Sequence, residues 1–196
     1  NRIRHIYEDK DKDLWIATDG SISRYDYQRS QFVNYSIVDS THTYNSNWAY
    51  NIFDDDRGQL WIATCLGGIF VVDKNRLLES SGTYLAETNY TMKDGLPSNF
   101  VNQILPDKNG NVWALLYRNG ICKIDAKHGK VQKIATNDKG DSETPNFILC
   151  DNEGFIWAAF PYKVIRIDPN TDELKTIIFS KYMASEVLTM VEEGQH

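Results

Sequence analysis

Asp107-Lys108-Asn109-Gly110-Asn111-Val112-Trp113 is one of four copies of a single phrase: an Asp, five residues, then a Trp. The other copies run from Asp9 to Trp15, from Asp55 to Trp61 and from Asp151 to Trp157. The four tryptophans stand 46, 52 and 44 residues apart, and a second Asp follows each by 11 or 12 residues, at Asp26, Asp73, Asp125 and Asp168. A period of this length marks an array of one supersecondary unit. Gly58, Gly110 and Gly154 each stand three residues before the Trp, and Lys12 takes that place in the first copy. Gly accepts positive φ without steric cost, so the phrase reads as a tight turn leading into a strand.

Working outward, each copy carries four short apolar stretches. One precedes the first Asp (Ile3–Tyr7, Ala49–Phe53, Val101–Leu105, Ile148–Leu149) and the second contains the Trp. The third follows a turn at Gly20, Gly67-Gly68, Gly120 or Pro161-Tyr162-Lys163, and the fourth is Phe32–Ile37, Tyr84–Tyr90, Val131–Ala135 or Leu174–Phe179. Runs rich in β-branched and aromatic residues between Gly, Asn and Asp read as strands. Four such strands in roughly 45 residues match one β-propeller blade. The chain is therefore expected to be all-β: a propeller fragment of four four-stranded blades plus the first strand of a fifth. The repeats run approximately over 1–40, 41–92, 93–137 and 138–180, and 181–196 opens the next. The Val187–His196 segment matches the start of a repeat, so further blades of the same chain are expected beside these. Arg76–Ser81 reads as one helical turn, which accounts for the length of the second repeat.

A Trp that recurs at one strand position is core between blades, and the Asp before each turn caps turn amides. Asp9, Trp15, Asp55, Trp61, Asp107, Trp113, Asp151 and Trp157 are thus structural. With 41% hydrophobic and 12% aromatic residues the chain can fill a β core. Its net charge of −6 and the lack of a Lys/Arg stripe argue against nucleic acid. No apolar run approaches the roughly 18 residues of a membrane span. Cys65, Cys122 and Cys150 show no CxxC spacing and read as small buried hydrophobes. His5, His42, His128 and His196 are scattered, so no metal, cofactor or catalytic residue is implied. Asp54-Asp55-Asp56 lacks the alternation of a calcium loop and reads as a solvated turn.

Candidate ligand residues are those that break the repeat on the face where a propeller's inner strands begin. The loop into the second inner strand holds Tyr44, Trp48 and Tyr50, and Trp48 is the one Trp outside the repeat. Loops between second and third strands supply Tyr117, Arg118, Tyr162 and Lys163. The inner-strand position five before the first Asp gives a polar ring of Arg4, Tyr50, Asn102 and Asn146. Aromatic faces stack on sugar rings, while amides and guanidinium groups serve hydroxyls and acidic substituents. Loop aromatics also pack on neighbouring blades, and polar inner strands also hold channel water.

The third repeat carries a specific phrase: Asp94-Gly95-Leu96-Pro97-Ser98-Asn99-Phe100-Val101, then Ile104, the Asp107–Trp113 turn, Asn119-Gly120-Ile121 and Ile124-Asp125. It resembles the two-component regulator propeller repeat. Repeats one, two and four lack the Asp-Gly-Leu-Pro phrase and match at the Asp–Trp core. The resemblance implies the extracytoplasmic, periplasmic sensor of a hybrid two-component histidine kinase. Such a sensor responds to oligosaccharides and signals through a membrane helix to a cytoplasmic kinase. The implied partners are an oligosaccharide, the remaining blades and, through the parent ectodomain, a second copy, with no membrane contact inside this segment. Two other readings stand beside it: a propeller hydrolase or lyase acting on glycans, and a protein-interaction scaffold.

Overall fold

The turn phrase folds the same way four times. One oxygen of each Asp carboxylate accepts the amides two and four residues on: Asp11 and Asp13 (2.9 Å each), Arg57 (2.9 Å) and Gln59 (3.0 Å), Asn109 (2.8 Å) and Asn111 (2.9 Å), Glu153 (3.0 Å) and Phe155 (2.8 Å). The other oxygen accepts the indole N–H of the Trp, at 2.8 Å for Trp15, 3.1 Å for Trp61, 2.9 Å for Trp113 and 2.6 Å for Trp157. The capping was legible in the sequence, but the bond that ties each Asp to its own Trp was not. Gly58, Gly110 and Gly154 take φ of 74°, 79° and 94°, and Lys12 is forced to 70°. In the next turn along, positive φ falls on Ser21 (95°), where Gly68 (76°) and Gly120 (73°) stand in later repeats, and not on Gly20.

The computed structural model describes residues 2–134 and 145–178. The first sheet is built from β1 (Ile3–Glu8), β2 (Leu14–Thr18), β3 (Ser21–Asp26) and β4 (Gln31–Val38). Then come β5 (Ala49–Asp54), β6 (Gln59–Thr64), β7 (Ile69–Asp73), α1 (Lys74–Glu79), β8 (Thr83–Leu85) and β9 (Thr88–Tyr90). The third sheet is β10 (Val101–Pro106), β11 (Asn111–Leu116), β12 (Gly120–Asp125) and β13 (Lys130–Ile134). The fourth is β14 (Phe147–Cys150), β15 (Ile156–Ala159), β16 (Lys163–Ile167) and β17 (Leu174–Ile178). The fold is all-β, with the four blades of four strands as expected and one further strand, β8, on the edge of the first sheet. The fifth blade's first strand, 181–196, lies outside the described residues, as do Ala135, Phe179 and His196.

The second repeat departs from expectation. Tyr84–Tyr90 is not one strand but two. β8 adds in parallel to the edge of β4 in the first sheet, while β9 completes the second sheet against β7. Gly82, at φ 96°, precedes the detour. The helix begins two residues earlier than the sequence suggested, because Asp73 is its N-cap and accepts the Arg76 amide at 2.9 Å. Asp26, Asp125 and Asp168 cap the matching turns through the amides of Gln28, Lys127 and Asn170.

The chain divides into two compact units, Asn1–Ile104 and Leu105–His196. In the first, Trp15, Ala17, Ile22 and Ile37 of one sheet pack on Ile52, Leu60, Ile62 and Phe70 of the next. In the second, Trp113, Leu115 and Ile121 pack on Ile148, Ile156 and Ile165. The Trp-bearing face thus meets the opposite face of the following blade. β6 is accordingly buried on both sides, which alternation alone would not require. The inner strands are also cross-linked: His5 Nδ1 accepts the Ile52 amide at 3.3 Å, and Asn51 Oδ1 accepts the Ile104 amide at 3.1 Å, from matching strand positions. Tyr7 donates its hydroxyl to Asp54. Lys74, nearly fully buried, donates to Asp9 at 2.9 Å and to Asp11. Asp54-Asp55-Asp56 is therefore no mere solvated turn: Asp54 is buried under Tyr7, Asp55 caps Trp61, and only Asp56 is exposed, paired with Lys10. Cys65 and Cys122 are buried, Cys150 is half-buried, and none of the three is in a disulfide.

Three predictions follow from these turns. Asp107→Ala strands the buried Trp113 N–H and two turn amides, and should cost about 2–3 kcal/mol in urea denaturation; a cost under about 0.5 kcal/mol would contradict the role given to Asp107. Lys12→Gly relieves a left-handed non-glycine residue and should raise the thermal midpoint, equivalent to as much as ~1 kcal/mol. Its lost Lys12–Glu8 pair is exposed and contributes little. The third concerns pH. Burial alone would raise the Asp9 carboxyl, but hydrogen bonds from Lys74, Trp15 and the Asp13 amide outweigh it and hold it below the ordinary 3.8. Asp55 is held low in the same way by the Gln59 amide, Trp61 and Arg57, against the burial that would raise it. A depressed folded-state pKa adds stability above the unfolded value and loses it as pH falls through the folded one. Denaturation midpoints should therefore hold level through mild acid and drop below pH 3.8, and Lys74→Met should soften that drop.

Candidate functional site

The inner strands of the first two blades share an irregularity. The β1–β2 register shifts between Ile3 and His5, and the β5–β6 register shifts between Ala49 and Asn51. Arg4 and Tyr50 are therefore the bulged residues, at matching positions. A bulge bends the strand and re-aims its side chain. The Arg4 guanidinium carbon lies 4.3 Å from the centroid of the Tyr50 ring, and Tyr50 meets Phe100 edge-on at 5.4 Å. Arg4 Nε and Nη2 donate to Asp19 Oδ1 at 3.1 and 2.9 Å, which holds the Asp19 carboxyl below its ordinary value. Asn102, the third member of the ring, is half-buried with its Oδ1 unpaired.

The β4–β5 loop is built around Asp39. Its carboxylate accepts the Tyr44 amide at 2.6 Å, the Thr41 amide at 3.1 Å and the Thr41 hydroxyl. Burial alone would raise Asp39, but these bonds outweigh it and lower its pKa. Farther along the loop, Trp48 takes φ of 56°. For a bulky side chain that is a strained conformation, which persists only where surrounding bonds enforce it. Two do so here: the Trp48 amide donates to Asp19 O at 2.9 Å, and the Cys65 amide donates to Trp48 O at 3.0 Å. Asp19 thus serves both arms of the site, Arg4 through its carboxylate and Trp48 through its carbonyl.

This geometry leaves Trp48 50% exposed beside Leu66, 67% exposed. Together with Tyr44, Thr43, Asn45, Asn47 and Gly67 they line an open pocket of about 350 Å³. Tyr44 is half-buried and rests on the core. Gly67 is required by close approach, since a Cβ there would lie 2.7 Å from Asn45 O and 2.8 Å from the Phe70 ring. Asn45 Oδ1 accepts the Asn47 amide at 3.0 Å. Burial pushes the thiol of Cys65, the residue before Leu66, up from its ordinary value, against the opposing pull of Arg4.

In the second unit the candidates fall at three separate places: the β11–β12 turn, the start of β14 and the β15–β16 turn. Tyr117 is 41% exposed, with the Arg118 guanidinium 5.1 Å from its ring and Arg118 at φ 57°. Tyr162 is exposed, and Lys163 Nζ lies 4.8 Å from the Phe160 ring. The amide of Asn146 donates to Ala159 O at 2.7 Å. The structure therefore joins Arg4 with Tyr50, Tyr44 with Trp48, and Tyr117 with Arg118.

Sequence reasoning missed Leu66, Asp19, Asp39 and Phe100. Leu66 was within reach: it stands five residues after its Trp, as do Arg118 and Tyr162, which were singled out. Asp19 and Asp39 act as acceptors for neighbouring loop groups, Asp39 through its carboxylate and Asp19 through carboxylate and carbonyl, at positions that the repeat does not mark. Chemically the pocket offers apolar faces, amides and hydroxyls. Among the described residues no group of three or more His, Cys, Asp or Glu is placed to hold a metal. Among the same residues no helix is long and apolar enough to cross a membrane.

Residues 1–20 and 95–118 match the family described as two component regulator propeller. No curated protein matches the chain. Two crystal structures of one extracellular domain from B. thetaiotaomicron are similar to it. One, described as belonging to a hybrid two component system, is 53% identical over 97% of this chain and 26% of that chain, with a TM-score of 0.92. The other, described as belonging to a one component system, is 54% identical over 93% and 25%, with a TM-score of 0.88. The extracellular domain of another hybrid two component system from that organism is 21% identical over 94% and 24%, with a TM-score of 0.72, a likeness of fold alone. The chain spans about a quarter of the length of each.

Proposed function

We propose that this chain, whose residues 1–20 and 95–118 match the two component regulator propeller family, is the ligand-reading segment of a hybrid two-component sensor. It recognises an oligosaccharide, and the parent protein passes that event to a cytoplasmic kinase. The segment lies on the extracytoplasmic side, as the extracellular domains it matches do. The observation that carries the reading is Trp48. A half-exposed indole held in a strained backbone conformation by two hydrogen bonds is expensive unless its exposed face is used. With Leu66 it presents an apolar platform for the face of a sugar ring, and Asn45, Asn47 and Thr43 stand at the rim for hydroxyls.

The remaining blades of the same chain are partners in this reading. Ile3 and Ile6 on β1 are each 61% exposed, whereas the matching Ala49, Ile52, Val101 and Ile104 are at most 3% exposed. A further blade over β1 would cover them as the first blade covers Ala49 and Ile52 of the second. Tyr117, Arg118, Asn146, Tyr162 and Lys163 are proposed as rim residues of the later blades, secondary to the Trp48 pocket.

The test is calorimetry of the intact protein against an oligosaccharide panel. Trp48→Ala should weaken the best ligand at least tenfold, about 1.4 kcal/mol, with the thermal midpoint unchanged. Full affinity in Trp48→Ala would remove the pocket from the site. Hydrolysis or elimination of the bound glycan would replace sensing with catalysis.

A further inference from the structure

We infer that the glycan taken by the Trp48 pocket is uncharged, a reading that rests on the oligosaccharide proposal above and narrows it. The pocket walls are Thr43, Tyr44, Asn45, Asn47, Trp48 and Leu66 with the backbone of Gly67, so no charged side chain lines it. Arg4, whose charge acts on Cys65 next to Leu66, is already committed. Arg4 gives two N–H groups to Asp19 Oδ1 and lays its guanidinium over Tyr50. Arg2 adds its positive charge to the same Asp19 carboxylate. At the root of the loop the buried Asp39 carboxylate accepts the Tyr44 and Thr41 amides and the Thr41 hydroxyl, a fixed negative charge behind the pocket wall. The chain as a whole carries −6.

A uronate or sulfate lowered onto Trp48 and Leu66 would lose water and meet no cation. Burying an unpaired anion is costly, and proteins that select carboxylate or sulfate supply a fork of Arg donors or a Lys. Neutral hydroxyls fit what the rim offers. Asn45 Oδ1 is taken by the Asn47 amide, while Asn45 Nδ2 and the Asn47 side-chain amide have no partner within the chain among the described residues. Both can donate to sugar oxygens, and Asn47 can also accept from a hydroxyl.

The experiment is a binding screen of the intact protein against matched pairs of oligosaccharides. One member of each pair is neutral, and the other has a hydroxymethyl oxidised to carboxylate or a hydroxyl sulfated. The best neutral ligand should bind at least tenfold more tightly than its charged counterpart, and Trp48→Ala should abolish the difference by weakening the neutral one. Its affinity should change less than twofold between low salt and 1 M salt, since no ion pair is there to screen. A charged member that binds as tightly or more tightly, and is lost in Trp48→Ala, would overturn the uncharged assignment while leaving the oligosaccharide reading in place. Binding of neither member of any pair would overturn both.

Discussion

A carboxylate that accepts two turn amides with one oxygen and an indole N–H with the other is the interaction on which this structure depends. It converts a flexible connection into a fixed corner and fixes the side chain that the next blade must pack against. Each bond depends on the others, because the turn brings the Asp within reach of the indole, and the indole's packing shields the carboxylate from water. Replacing the Trp by another large apolar residue would fill the space but lose the corner. Replacing the Asp would leave a buried donor facing nothing. That mutual need explains why the pair recurs together while the residues between them vary from Lys-Asp-Lys-Asp-Leu to Asn-Glu-Gly-Phe-Ile.

What was legible in the sequence follows from that repetition. Four strands per unit could be read because the same local pattern appeared four times, and each copy corrected the reading of the others. The fate of Tyr84–Tyr90 could not be read. Alternation says that a stretch is extended, but not which sheet edge will accept it, and β8 chose the edge of the preceding blade. The start of α1 was nearer to hand, since Asp73 sits at the repeat's second Asp position and is also a strong N-cap.

The candidate site divides in the same way. Trp48 and Tyr44 stood out because packing within the repeat did not need them, and the structure puts them on one pocket. Arg4 and Tyr50 were singled out as polar interruptions, yet their meeting depends on two register shifts that no side-chain pattern announces. Leu66 shows the opposite failure. An apolar residue in a β protein passes for core, and only its place at a loop tip marks it as surface.

The strand that left its own repeat has a mechanical meaning. β8 belongs to the second repeat in sequence but completes the first sheet, and Lys74 on the way to it is anchored on Asp9. The first blade therefore cannot finish assembling until the chain has passed through β5, β6, β7 and α1. Its outermost edge is held by a residue separation typical of non-local β pairing, whose closure is slow. Once closed, the two blades are stitched in both directions: β4 feeds forward into the Trp48 loop, and β8 reaches back over β4. A force or a ligand acting on that loop would therefore load strands of both repeats at once.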